Sequence, residues 1–198
     1  MEKVEANLTT SKLSNGTSDH VVRSKPTVQH TKHWLVAYVG TNREKKTSEL
    51  LTKMGIENYL PIQKEIRQWS DRKKTIERVL IPSMIFVYVD TTQRKEVLTL
   101  SSVSRYMVLR GESTPAVIPD EQMTRFKFMV GHSEESVNMC DCSLRSGEMV
   151  RVTRGPLTGL TGELILVEGR QKVAVRVNML GCACVDMPKE NVERLVEE

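Results

Sequence analysis

The sequence predicts an α+β domain followed by a small all-β domain of barrel type, and three observations carry that prediction. Trp34-Leu35-Val36-Ala37-Tyr38-Val39 is a β-branched and aromatic run, and after it Thr47, Leu50, Leu51 and Met54 recur at helical spacing. Between residues 84 and 89, Met84, Phe86 and Tyr88 alternate with Ile85, Val87 and Val89, so both faces of one strand are apolar and both need a cover. Beyond Gly147 the helical period vanishes and short β-rich runs follow within about fifty residues, the pattern of a small barrel.

Residues 1–32 are dominated by Ser, Thr, Asn and Lys and hold too few apolar residues for a core, which predicts a disordered tail. The first domain is expected over 33–131. Its opening strand leads to a helix that Asn42 can cap and Gly55 can end. Ile56 to Asp90 reads as a long hairpin with a basic turn at Ser70-Asp71-Arg72-Lys73-Lys74, closed by the strand with two apolar faces. One of those faces meets the domain's own helices, and the other calls for an explanation. A helix near 94–100, a strand near 105–110 and a helix opened by Pro119 and carrying Met123, Phe126 and Val130 complete the domain.

The period then disappears at His132-Ser133-Glu134-Glu135-Ser136, which makes 132–146 a linker. Within 147–198 the strands are expected at 149–153, 163–167, 172–177, 183–187 and 192–195, around Val150, Val152, Leu164, Leu166, Val173, Val175 and Val177. So small a core should be sensitive to truncation.

Hydrophobic content of 39% and charged content of 27% are globular values. No apolar run approaches the ~20 residues that span a bilayer, and the amino terminus lacks a signal-peptide pattern. The expectation is a soluble, cytoplasmic, monomeric chain whose four cysteines stay reduced. The net charge of +4 divides into +2 before His33, +5 from His33 to Gly131 and −3 from His132 onward. That field is too weak for tight stand-alone nucleic-acid binding, and suits a protein that touches nucleic acid while another partner holds it there.

No catalytic constellation is visible. His20 and His30 lie in the tail, His33 at the domain edge and His132 in the linker, and there is no phosphate-cradling loop, so the chain is read as a non-enzyme without cofactor. Cys140-Asp141-Cys142 and Cys182-Ala183-Cys184 place one residue between thiols where structural zinc sites usually place two to four. No metal is therefore expected.

The segment Val150-Arg151-Val152-Thr153-Arg154-Gly155-Pro156-Leu157-Thr158-Gly159-Leu160-Thr161-Gly162-Glu163 resembles the KOW motif of NusG-type factors and certain ribosomal proteins. Its glycines supply reversals with positive φ or close chain approach. Independently, Trp34 to Tyr38, the helix after it and Ile81-Pro82-Ser83-Met84-Ile85-Phe86-Val87 resemble the amino-terminal domain of NusG, in the same order and spacing. The resemblance covers Trp34 to Leu195. Tyr59-Leu60-Pro61-Ile62 through Gln68-Trp69-Ser70-Asp71-Arg72 to Pro82 looks most like the UpxY group of specialised antiterminators, which act on capsular polysaccharide operons.

That resemblance implies an α/β sandwich domain followed by an SH3-like barrel, and a transcription elongation or antitermination factor. Its apolar face would pack on the helical tip of the RNA polymerase clamp, and the matching positions are Tyr38, Met84 and Phe86. Arg72, Lys73 and Lys74, with Arg67 and Arg78 on the hairpin arms, are the candidates for phosphates of nontemplate or upstream DNA, since cations on a projecting turn reach phosphate with little desolvation. Trp69 beside them can stack on an unpaired base. In the second domain Val150, Val152, Gly155, Gly159 and Gly162 carry the KOW motif, which in the family meets Rho or the ribosome. A competing reading is an RNA- or ribosome-binding protein working through that domain; its net charge of −3 speaks against it.

Overall fold

The computed structural model describes residues 31–68, 73–140 and 147–195, with backbone only at Ile66, Arg67 and Lys73. The tail up to His30, Trp69 and Arg72 at the hairpin tip, and linker residues 141–146 lie outside the described residues.

The first domain is built on β1 (His33–Val39), which runs antiparallel to β5 (Met84–Val89) with Trp34 opposite Tyr88, Val36 opposite Phe86 and Tyr38 opposite Met84. β2 (Glu57–Tyr59) adds outside β5, while β6 (Val103–Tyr106) and β7 (Val117–Ile118) both pair with β1. Leu35, Ala37 and Val39 with Ile85, Val87 and Val89 form one buried face, closed by Leu51 of α1 (Glu44–Lys53) and Val97 of α2 (Thr91–Val97). On the other face Val36 and Phe86 are covered by Met123, Phe126, Met129 and Val130 of α3 (Asp120–His132). The second apolar face of β5 thus has an internal explanation.

Local chemistry sets the element ends. Gly55, at φ 72°, follows the last turn of α1 as expected. Asn42 does not cap that helix: Arg43 occupies the cap position, and Asn42 sits before it in a left-handed turn at φ 60°. The Glu44 carboxylate instead turns away to accept from the Ser83 amide at 2.8 Å, tying the start of α1 to the turn before β5. α2 begins earlier than the sequence suggests because the Asp90 carboxylate accepts from the Thr92 and Gln93 amides, each at 2.8 Å.

β3 (Ile62–Gln68) and β4 (Lys73–Val79) form the expected hairpin, paired from Ile62 opposite Val79 to Gln68 opposite Lys73. It is a two-stranded ribbon separate from the main sheet.

The second domain holds β9 (Glu148–Val152), β10 (Thr161–Val167), β11 (Arg170–Val177), β12 (Gly181–Asp186) and β13 (Val192–Arg194). A further strand, β8 (Asn138–Cys140), comes from the segment expected to be linker and pairs with β12. The sheet runs β13-β9-β10-β11-β12-β8 as an open path, with no ladder between β13 and β8 among the described residues, where the sequence reading expected a closed barrel. Val150, Val152, Val173, Val175 and Val177 are buried as expected. Leu166 is 67% exposed, because the end of β10 runs past the core into the tight turn at Glu168 and Gly169; Ile165, on the opposite face, is buried against Ala174, Cys182 and Cys184.

Gly162 is not in a left-handed conformation; it is there for space, since a β-carbon at that position would stand 2.6 Å from the Ala174 carbonyl oxygen. Gly162→Ala is therefore expected to destabilise the second domain by about 1–3 kcal/mol, because the obstruction is backbone. A thermal melt of the variant unchanged from the parent would contradict this.

The two domains pack together along the outer side of α3. Gln122 donates to the Asn178 side-chain oxygen at 2.9 Å and accepts from the Asn178 amide at 2.8 Å, while Thr124, Arg125 and Phe128 line a shallow groove with Thr158 to Thr161. One continuous buried cluster runs from Trp34 and Phe86 through α3 and Val137 into Val150, Val173 and Val185.

Candidate functional site

Tyr38 and Met84 face each other at one end of the β1–β5 ladder, both half-buried. The Arg105 guanidinium lies over the Tyr38 ring at 5.1 Å, which fixes the ring and gives that end a positive rim. Met84 packs on the edge of the cluster that both domains share. Phe86 stands differently: it is 0% exposed, with its ring 5.7 Å from Phe126 and 6.2 Å from Tyr59. It is core, not surface, because α3 lies directly over the middle of β5, so the assignment of Phe86 to a docking face is corrected. Alternation along β5 revealed a second covered face and could not say that the cover came from the same domain.

Around that core the aromatic residues hold a cation. The Lys127 ammonium sits 3.8 Å from the Trp34 ring centre and 5.5 Å from that of Tyr59, with Glu57 at 3.7 Å. Burial lowers the Lys127 pKa, and Glu57 acts in the opposite direction. Burial likewise pushes the Tyr59 hydroxyl up to about 12, so the ring stays neutral.

On the hairpin, Arg67 lies opposite Lys74 and Gln68 opposite Lys73, and the Lys74 side chain is exposed. Arg78 does not join them. Its guanidinium pairs with Glu65 at 2.8 Å and donates to the Val137 carbonyl at 2.7 Å and to the Asn138 side chain at 3.2 Å. Those bonds commit Arg78 to the base of the hairpin, and its assignment to phosphate contact is corrected. The outer side of the hairpin base carries a Lys45–Glu77 ion pair at 2.6 Å, which holds the Glu77 carboxyl below its usual range.

The segment that joins the domains is a strap that the sequence reading missed. Gln63, 6% exposed, donates to the Glu135 carbonyl at 2.8 Å and accepts from the Val137 amide at 2.9 Å. With Arg78 it fixes residues 135–138 on the hairpin before β8 joins the second domain's sheet. The available signal was the alternation of Val137 and Met139, which is a strand pattern.

In the KOW-like segment Val150 and Val152 are 0% exposed, and Gly155 and Gly159 take φ of 86° and 89°. The Gly159 amide donates to the Val152 carbonyl, and the Val152 amide to the Leu160 carbonyl, each at 2.8 Å. The loop is thereby folded back on the end of β9 and presents Thr158 to Thr161 toward α3. Cys140 and Cys184 lie close together on β8 and β12, with Cα atoms 6.5 Å apart. Among the described residues no group of histidine, cysteine or acidic side chains is arranged to hold a metal, and no helix is long and apolar enough to cross a membrane.

Residues 32–127 match the family model of transcription termination factor NusG. The match spans β1 to the middle of α3, so the first domain is NusG-like. Among solved structures, one described as domain interaction in Thermotoga maritima NusG is similar at 20% identity and a TM-score of 0.45, over 83% of this chain and 98% of that one. Crystal structures of an MjSpt4:Spt5 complex in conformations A and B are similar at 13% and 14% identity with TM-scores of 0.28 and 0.29, each over 83% of this chain and over 99% and 97% of theirs. No curated protein matches the chain.

Proposed function

We propose that this chain is a NusG-family transcription factor that binds RNA polymerase through its first domain and promotes processive elongation, without catalytic activity of its own. The match of residues 32–127 to the NusG family model carries the reading. The geometry supports it in two places. Tyr38 and Met84 form an apolar end of the sheet beside Arg105, suited to docking on the helical tip of the clamp. The turn end of the β3–β4 ribbon carries the exposed Lys74, a cation available to phosphates of nontemplate or upstream DNA.

The finer reading is an operon-specific antiterminator of the UpxY kind, acting on a capsular polysaccharide operon, with a KOW domain that has lost Rho recruitment and meets the ribosome or another protein. It rests on the Tyr59-to-Pro82 resemblance and on the Gly181-Cys182-Ala183-Cys184 sequence, which opens β12. Deleting the gene and profiling transcripts tests it: loss confined to the distal part of one or a few long operons supports specialisation, and genome-wide loss of elongation shows a housekeeping factor.

The polymerase reading itself is tested by measuring affinity for purified core polymerase against bare RNA. Preference for RNA favours the competing ribosome-type reading. In assembled elongation complexes, Arg72→Ala with Lys73→Ala and Lys74→Ala is expected to flatten the salt dependence of DNA contact by a log–log slope of at most ~2.7, at ~0.9 per phosphate. An unchanged slope and unchanged crosslinking to DNA would exclude the hairpin.

A further inference from the structure

We propose that Cys140 and Cys184 form a redox latch that holds the second domain against the first, independently of which partner the first domain binds. The two cysteines lie on neighbouring antiparallel strands, Cys140 at the end of β8 and Cys184 within β12, with Cα atoms 6.5 Å apart, inside the range of about 4.4–6.8 Å that a disulfide bridges. Their placement matters because of what each strand is attached to. β8 is the last part of the strap, whose preceding residues are pinned to the hairpin of the first domain by Gln63 and Arg78. β12 lies inside the second domain's sheet and carries the buried Ala183 and Val185. Without the bond, the second domain is held to the strap by the short β8–β12 ladder, by chain connectivity through 141–147 and by its contacts on α3. With the bond, β12 is joined covalently to a segment fixed on the first domain. The docked arrangement is then favoured by proximity, without any new contact on α3.

The chemistry balances with a low-molecular-weight disulfide such as oxidised glutathione. The half-buried Cys140 thiol, once deprotonated, attacks one sulfur of that disulfide and expels a glutathione thiolate. The Cys184 thiol, wholly buried at 0% exposure, then attacks the Cys140 sulfur and releases the second glutathione, so two protein thiols are oxidised as one disulfide is reduced to two thiols. Reduced glutathione or a dithiol reverses both steps.

The test uses the full chain carrying Cys142→Ser, equilibrated with oxidised or reduced glutathione. The expected product is an intact mass two hydrogens lighter, with a peptide link between Cys140 and Cys184. The Asn178 amide, which bonds to Gln122 across the domain boundary, should then exchange with solvent at least about tenfold more slowly than in the reduced chain. Cys182→Ser should leave that response intact, while Cys140→Ser and Cys184→Ser should remove it and match the reduced chain. Near-ultraviolet circular dichroism checks that the variants are folded, and the reduced parent serves as the unlatched reference should one of them not be. A stable glutathione adduct on Cys140 without ring closure, a link to Cys182 instead, or equal Asn178 exchange in both redox states would overturn the proposal.

Discussion

Replacing Phe86 by aspartate is expected to unfold the first domain. Phe86 is 0% exposed between Phe126 and Tyr59, in the layer where α3 meets the sheet. Truncating a buried phenylalanine alone costs roughly 3–5 kcal/mol, and a carboxylate there would have no cationic partner at the centre of the cluster. Set against a total stability of about 5–15 kcal/mol, that leaves little or no folded domain at 37 °C. The check is a thermal melt followed by near-ultraviolet circular dichroism of the aromatic cluster. A cooperative transition near that of the parent would place Phe86 outside the core.

Tyr38→Asp combined with Met84→Lys is the contrasting experiment. Both residues are half-buried at the sheet end, so the pair should leave the first domain folded. Each apolar side chain buried against a partner contributes about 1.5–3 kcal/mol. Removing two is expected to weaken polymerase binding by at least about 100-fold, since each 1.4 kcal/mol is tenfold. Equilibrium binding to core polymerase, with circular dichroism as a folding control, measures it. Undiminished affinity in a folded double variant would move the docking surface elsewhere.

The first domain was legible in the sequence where periodicity carries structural meaning. Both faces of β5, the helix ended by Gly55 and the existence of the hairpin follow from period two, period 3.6 and turn residues. Periodicity says that a face is covered and not by what, which is why Phe86 read as a docking residue although Met123 and Phe126 had already been placed on a helix that could cover it. Arg78 was misread because a charge on a hairpin arm looks the same in sequence whether it meets phosphate or the Val137 carbonyl 59 residues away. The amides that fasten the molecule, Gln63 on the strap and Gln122 on Asn178, belong to no repeating pattern. Their partners are backbone or polar groups brought together only by the tertiary fold. The linker was read from the polar run at its start, and the alternating Val137 and Met139 that follow were passed over.

In the proposed function, RNA polymerase is met at the Tyr38–Met84 end of the first domain. A photoreactive amino acid at Tyr38 in the full chain, irradiated with purified core polymerase and mapped by mass spectrometry, tests it most directly. Crosslinks to the helical tip of the clamp are expected, and the parent chain added in excess should compete them away. Polymerase binding with no crosslink from Tyr38, or no binding at all, would contradict it.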